Sequence, residues 1–383
     1  MKTIVHVVQH LRPGGIECLV LEIMKYNLDA ENGDRVLIVS LEGRKDHVVS
    51  QWPRLKAYED HIYCLNKPSG WCVKTSLELT AIINAIGADA IHTHHIGPLL
   101  YGGFAARMAG LQYHIHTEHD AWHLSSRRRQ LLEKLLLKLF KPTLVADASF
   151  VADQLERAEM NYPAHTIHNG IDAEYFTAGD KILARNRLSI DKWLIQHKHN
   201  VKCTKLIGCA GRLVAVKGHC YLLQAMTHLS DDTVLVLAGE GEEFQNILQS
   251  AKELQLENRV LLLGAISDMR SFYQAIDIFA MASLNEGLPL SPLEAQACNV
   301  PVVLTDVGAC NEACCSDTGI LVPSQSGTAL AWGIRMQIKK LSSGHVKKLS
   351  PRSFVETQRS LSSMVRQYQL LIDEGPQSLV SEK

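Results

Sequence analysis

The sequence predicts an α/β protein built from two doubly wound parallel sheets. Three observations lead there. Short Val- and Ile-rich runs alternate with longer helical patterns along nearly the whole chain. The rhythm occurs twice, on either side of a polar stretch that has no strand signal. A length of 383 residues, at roughly 150 per domain, suits two domains. With 46% hydrophobic and 21% charged residues the composition is ordinary globular usage, which excludes a disordered or low-complexity chain.

In the first half, TIVHVV (3–8), RVLIVS (35–40), AIHT (90–93), YHIHT (113–117), TLVAD (143–147) and HTIH (165–168) read as strands buried on both faces. The second half offers KLIGCAG (205–211), TVLVLAG (233–239), VLLLG (260–264), DIFAM (277–281), PVVLT (301–305) and GILV (319–322). The expected organisation is an N-terminal domain over 1–175, a linker over 176–203 containing LARNRL and IQHKHN, and a C-terminal domain over 204–350. A closing helix over 351–376 carries the stripe Val355, Leu361, Met364, Tyr368 and Leu371, and is expected to pack back on the N-terminal domain. In such sheets ligands bind beyond the carboxyl ends of the strands.

Charge and cysteine usage narrow the classes. Lys plus Arg number 39 against 40 Asp plus Glu, so no global basic field exists for nucleic acid. The ten Cys include no C-x-x-C pair and read as buried free thiols of a reducing cytoplasm. TIVHVV is too short for a signal-peptide core, and no run of about 18 apolar residues suits a membrane span. A cytoplasmic protein is expected.

Three segments carry candidate chemistry. In HLRPGGIECLVLEIM, Gly14 and Gly15 stand where a strand turns into a helix; such a turn holds an anion or simply reverses the chain tightly. In RLVAVKGH, Arg212 and Lys217 follow a strand's carboxyl end, where two cations suit a diphosphate, although loop cations are also commonly solvated. In SLNEGLPLSPLEAQAC (283–298), Gly287 and Pro289 keep Glu286 on a loop, where an acid with no evident structural duty reads as a ligand contact. Ser291, Pro292 and Glu294 then fit an N-cap, a first helical residue and the acid of a capping box, so that Glu294 is either a cap or a ligand contact.

With these motifs the sequence resembles the retaining glycosyltransferases of family 4, which have the GT-B fold of two Rossmann-like domains facing a central cleft. The resemblance spans nearly all of the chain, through PGGIE (13–17), HTEHD (116–120), HNGID (168–172), GRLVAVKG (211–218), LAGEGEE (237–243), EGLPLSPLEA (286–295) and the Met364/Tyr368 helix. Its most specific feature is the pair of acids Glu286 and Glu294 with seven residues between. The resemblance implies a sugar moved, with retention, from a nucleoside-diphosphate sugar to a glycan or lipid-linked acceptor, in polysaccharide or lipid-linked glycan assembly. It implies that Arg212 and Lys217 grip the diphosphate, Glu286 meets donor-sugar hydroxyls and Glu294 the ribose. His119 points at the donor sugar, and Gly14 and Gly15 line the diphosphate pocket. Gly287, Leu288 and Leu293 of the same motif line the donor site. Two positions depart from the family: Asn299 stands where a Gly is usual, and Ala148 where a Ser is usual.

No Asp-x-Asp pair occurs, so the usual ligands of a metal-bridged diphosphate are missing, and neither metal nor cofactor is expected. Alternatives are a nucleotide-sugar epimerase or hydrolase of the same fold, or a metal-dependent hydrolase built on the pairs His92/His94 and His114/His116, each at strand alternation. Finally, SSRRRQLLEKLLLKLFKP (125–142) sets six cations against Glu133 alone, a local balance of +5. It reads as a basic amphipathic helix lying on anionic membrane, at the inner face, or as a domain helix with its Leu face in the core.

Overall fold

The computed structural model describes residues 1–31, 33–120, 122–343, 349–375 and 377. It divides into two compact units, one of Met1–Asn169 with Leu361–Lys383 and one of Gly170–Ser360. The first unit holds β1 (Thr3–Val8), β2 (Arg35–Ser40), β3 (Ile62–Cys64), β4 (Ala90–His94), β5 (Tyr113–Glu118), β6 (Thr143–Ala146) and β7 (Ala164–Thr166). The second holds β8 (Lys205–Ala210), β9 (Thr233–Ala238), β10 (Val260–Gly264), β11 (Ile278–Met281), β12 (Val302–Thr305) and β13 (Ile320–Val322). The strand orders are β3-β2-β1-β4-β5-β6-β7 and β10-β9-β8-β11-β12-β13. Every strand pairing within the two sheets is parallel.

Parallel strands return through helices on both faces, so their residues are apolar in both directions. Val36 and Ile38 of β2 pack with Val20, Leu21 and Met24 of the helix Gly15–Asp29. Val5, Val7 and Val39 face the other way, toward Leu79, Ile83 and Tyr101. In the second unit all six residues of β9 are buried. The edge strand β3 carries too short an apolar run to be legible.

The structure corrects four expectations. The stretch 176–203, expected as a linker, forms the helices Lys181–Arg187 and Ile190–Gln196 and falls within the second unit. Arg185 anchors the first of them from inside, donating from Nε to Ala275 O at 3.0 Å and from Nη2 to Asp277 Oδ2 at 3.0 Å. A buried guanidinium interrupts the apolar stripe by which such a helix is recognised. The closing helix is two helices, Pro351–Gln358 in the second unit and Leu361–Asp373 in the first. The helix Leu290–Ala297 starts after Pro289, with no side-chain cap, so the Ser291–Glu294 capping box does not form. Lastly, Cys203 and Cys220 are exposed thiols rather than buried ones.

Asn299 explains its own departure from the family. Its φ is +63°, the left-handed region that a Gly adopts freely and that Asn tolerates best among other residues. Asn299→Gly is expected to stay within a few tenths of a kcal/mol of the parent, whereas Asn299→Ala loses about 1 kcal/mol. Urea denaturation of the two variants checks this; equal stabilities would remove the backbone explanation.

Candidate active site

In the second unit the chain order places three candidate loops at the carboxyl edge of the sheet. Strand order reverses between β8 and β11, so the loops that follow them diverge from neighbouring strand ends. Arg212 lies just past β8 and is exposed, and its side chain has no hydrogen-bond or ion-pair partner among the described residues. Lys217 closes the short 3₁₀ turn Ala215–Lys217. Its Nζ donates to Glu286 Oε1 at 2.5 Å, and Ser283 Oγ donates to the same oxygen at 2.5 Å. Glu286, on the loop after β11, is only 7% exposed. It therefore has a structural duty that the sequence did not reveal: its carboxylate fastens the Lys217 loop to its own.

Two glycines allow that approach. Gly218 has φ +62°, and a Cβ there would stand 2.2 Å from Ala282 O. Gly308 has φ +57°, and its Cβ would stand 1.8 Å from Glu286 O. Backbone on backbone at such distances admits no side chain.

Glu294 sits in the second turn of the helix Leu290–Ala297, where its Oε2 accepts from the Tyr273 hydroxyl at 2.5 Å. Tyr273 is fully buried, and burial together with the Glu294 carboxylate raises its pKa well above the usual phenol range. It thus stays a donor. Nothing in MRSFYQA distinguished this Tyr from a core aromatic. Leu293, expected to line the donor site, has no exposed surface, and Leu288 only 5%, so both side chains serve the core. Gly287 is half-buried on the loop between.

In the first unit, the helix Gly15–Asp29 begins beside Gly14, which has extended backbone and no capping side chain. An acid of the chain lies close by: Glu17 pairs with His10 Nδ1 at 3.2 Å, and its Oε2 would stand 2.4 Å from a Cβ at Gly14. Burial raises the Glu17 pKa. A Cβ at Gly15 would meet open space. Any anion at this helix start shares it with Glu17, a residue the sequence did not single out.

His119 is buried at the end of β5 with both ring nitrogens engaged. Nδ1 meets Asp147 Oδ2 at 3.2 Å, and Nε2 meets His94 Nδ1 at 2.9 Å. Asp147 also accepts from Asn169 Nδ2 at 2.8 Å, and His94 Nε2 lies 3.1 Å from His6 Nδ1. The pairs expected from strand alternation each stay together. His92 and His94 stack and are joined by His6, while His114 and His116 both meet Thr93 Oγ1, at 3.1 and 3.0 Å. Among the described residues two groups have ligand atoms within 4.8 Å of one another, His6/His92/His94 and His116/Glu118/Glu133. In the first, however, both nitrogens of His94 already serve other imidazoles.

Comparison with known proteins decides the family. The model described as Glycosyltransferase Family 4 matches residues 13–175, and that described as Glycosyl transferases group 1 matches residues 191–345. The chain belongs to the family 4, group 1 glycosyltransferases. The glycosyltransferase is 27% identical over 338 residues to the putative glycosyltransferase EpsF of Bacillus subtilis, covering 80% of this chain and 79% of that one. It is 26% identical over 254 residues to an Escherichia coli UDP-Gal:α-D-GlcNAc-diphosphoundecaprenol α-1,3-galactosyltransferase, covering 62% and 63%. Among solved structures, Anabaena HepE in complex with UDP and glucose gives a TM-score of 0.82 at 19% identity, covering 98% of this chain and all of that one. Sucrose-phosphate synthase from Thermosynechococcus elongatus gives 0.76 at 18%, covering 100% of each. These two likenesses are of fold, and the fold is GT-B.

Two stability predictions follow from the site. Lys217→Ala leaves Glu286 buried beside Ser283 alone and is expected to cost about 1–2 kcal/mol, less than a fully buried pair because Lys217 is 24% exposed. Arg212→Ala is expected within about 0.5 kcal/mol of the parent, since the residue is exposed and unpartnered. Denaturant titration of both variants tests the contrast, and the reverse order of losses would contradict it.

The histidines make the protein acid-labile. Burial lowers the pKa of His6 and His114 to about 3, and lowers those of His92 and His94 as well. The unfolded chain therefore takes up protons below pH ~6.5 that the folded chain refuses, and each such His removes up to ~1.4 kcal/mol of stability per pH unit below that point. Glu17 and Asp147, raised by burial, act in the opposite sense. Thermal unfolding should show the melting temperature dropping steeply from pH 6.5 toward 4; a flat profile would show these imidazoles to be solvated.

Proposed function

We propose that this glycosyltransferase moves a sugar from a nucleoside-diphosphate sugar to a hydroxyl acceptor with retention of anomeric configuration and without a metal ion. The observation that carries the reading is the restrained Lys217 beside an open Arg212 at the carboxyl edge of the second sheet. Breaking the bond to the diphosphate loads negative charge on its oxygens. Arg212 meets them as a fork and Lys217 as a point charge, Lys217 being held in place before the charge develops. Glu286 contacts donor-sugar hydroxyls. Glu294, oriented by Tyr273, contacts the ribose. In the first unit Gly14 and Gly15 offer the start of their helix to substrate, and His119 reaches a substrate hydroxyl by exchanging its bond to His94. The ligands named for HepE and the diphosphoundecaprenol acceptor named for the E. coli relative support a nucleotide-sugar donor and a lipid-linked glycan acceptor. The absence of an Asp-x-Asp pair supports catalysis without a metal.

No helix among the described residues is long and apolar enough to cross a membrane. We place the protein in the cytoplasm, peripheral to the inner face, with 125–142 against the lipid. Leu131, Leu132, Leu135 and Leu139 are 68, 41, 60 and 40% exposed there, which favours the surface reading of this helix over the core one.

Arg212→Ala and Lys217→Ala should each lower turnover about a hundredfold, the usual loss for one preorganised contact to a developing anion. Glu286→Gln should reduce kcat with little change in nucleotide affinity, whereas Glu294→Gln should weaken nucleoside-diphosphate binding by calorimetry. A chelator should leave the parent unaffected, and the product anomer read by NMR should match the donor's. Dependence on added Mg²⁺ or Mn²⁺, near-parental activity of both cation variants, or an inverted product would overturn the mechanism. Release of free sugar without transfer would favour the hydrolase.

A further inference from the structure

We infer that the first unit holds a binding groove for anionic phospholipid at the amino edge of its sheet, the edge opposite His119. The inference rests on the membrane contact proposed above and names what fastens it.

A groove of about 760 Å³ opens where β5 and β6 begin, at Tyr113 and Thr143. Its cations are Arg107, Lys138 and Lys141, all exposed, and no Asp or Glu lines it among the described residues. Arg107 is fixed by a bond from Nη1 to Leu139 O at 3.1 Å, at the end of the helix Arg127–Phe140. Lys141 closes that helix in the left-handed conformation. Leu111, Leu139 and Phe140 give the groove an apolar strip, beside the polar side chains of Gln112, Tyr113, His114 and Thr143. A free phosphate needs cations alone, while an amphiphile needs cations and an apolar wall side by side.

The groove continues onto the surface of the same helix. Leu131, Leu135 and Leu139 recur every fourth residue, so they form one stripe, and Leu139 belongs to both stripe and groove. Arg127, Arg128 and Arg129 begin the helix and are exposed. Its one acid, Glu133, has no exposed surface. The outer face thus combines leucines with cations and carries no carboxylate, the complement of an anionic lipid surface. A bilayer lying along the stripe brings phosphate headgroups to Lys138, Lys141 and Arg107, with acyl chain against Leu111 and Phe140.

The test is co-sedimentation of the full chain at low salt with vesicles of phosphatidylcholine alone, or containing phosphatidylglycerol. Capture by phosphatidylglycerol vesicles only is expected. Neutralising the groove in Arg107→Gln/Lys138→Gln/Lys141→Gln should weaken capture roughly a hundredfold, since each cation near the surface contributes about fivefold. Lys138→Gln/Lys141→Gln, which keeps the Arg107 bond to Leu139, should weaken it roughly 25-fold with an unchanged melting temperature. Turnover of a soluble acceptor should match the parent in both. Short-chain phosphatidylglycerol below its micelle concentration should raise the parent's melting temperature, and inorganic phosphate should not. If the groove variants sediment like the parent while Leu131→Ser/Leu135→Ser is released, the groove is wrong and the membrane contact stands. If the parent ignores anionic vesicles, both fail. Equal stabilisation by inorganic phosphate makes the groove a phosphate site and overturns the lipid assignment.

Discussion

Parallel pairing is the constraint on which the other features depend. A parallel strand cannot return by a hairpin, so each crossover climbs over one face and all carboxyl ends of a sheet gather on one edge. In the second unit the order β10-β9-β8-β11-β12-β13 sends the chain leaving β8 toward β9 and the chain leaving β11 toward β12. The loops part there, and side chains far apart in sequence meet. Lys217 and Glu286, 69 residues apart, form their ion pair at this place and not elsewhere because the topology leaves the space open only here.

That pair also separates the roles of two cations that look alike in sequence. Lys217 is held by a buried carboxylate, which limits its motion and sets its position before any ligand arrives. Arg212 has no such partner and keeps all five donors for a ligand. Glu286 is shared among the Lys217 ammonium, the Ser283 hydroxyl and whatever it meets at the site, so its charge is structural and chemical at once. Gly218 and Gly308 are the steric condition for this arrangement, since each lets backbone approach backbone where a Cβ would collide.

Much of the fold was legible because parallel strands advertise themselves. TIVHVV, RVLIVS and VLLLG coincide with β1, β2 and β10, and the remaining runs differ by a residue or two at their ends. The misses have physical reasons. β3 is a three-residue edge strand, and the helix Lys181–Arg187 hides behind a buried Arg185 that breaks its apolar face. The loop bearing Arg212 and Lys217 was legible from the strand before it, and that bearing Glu286 from Gly and Pro placement. Other contacts were not: Ser283 with Glu286, Tyr273 with Glu294 and Glu17 with His10 meet in ways that sequence spacing does not encode. Burial was not legible either: the Leu293 side chain lies wholly in the core.

The histidines show how sheet register turns a composition into a device. Along a strand, alternation pairs residues two apart; across the sheet, His6 of β1 stands opposite His92 of β4, and the rings of one face stack at ring-centroid separations of 4.3 to 5.3 Å. Burial lowers the pKa of His6, His92 and His94, so each of these rings has one N–H and one lone pair to place. His119 meets Asp147 through Nδ1 and His94 through Nε2, and His94 meets His6 through its other nitrogen. Three imidazoles are thereby joined in one line to a single carboxylate. The same logic of register serves each unit separately: the carboxyl edge of the second sheet gathers Arg212 and Lys217 on one loop, and the end of β5 in the first unit holds an imidazole oriented through both of its ring nitrogens.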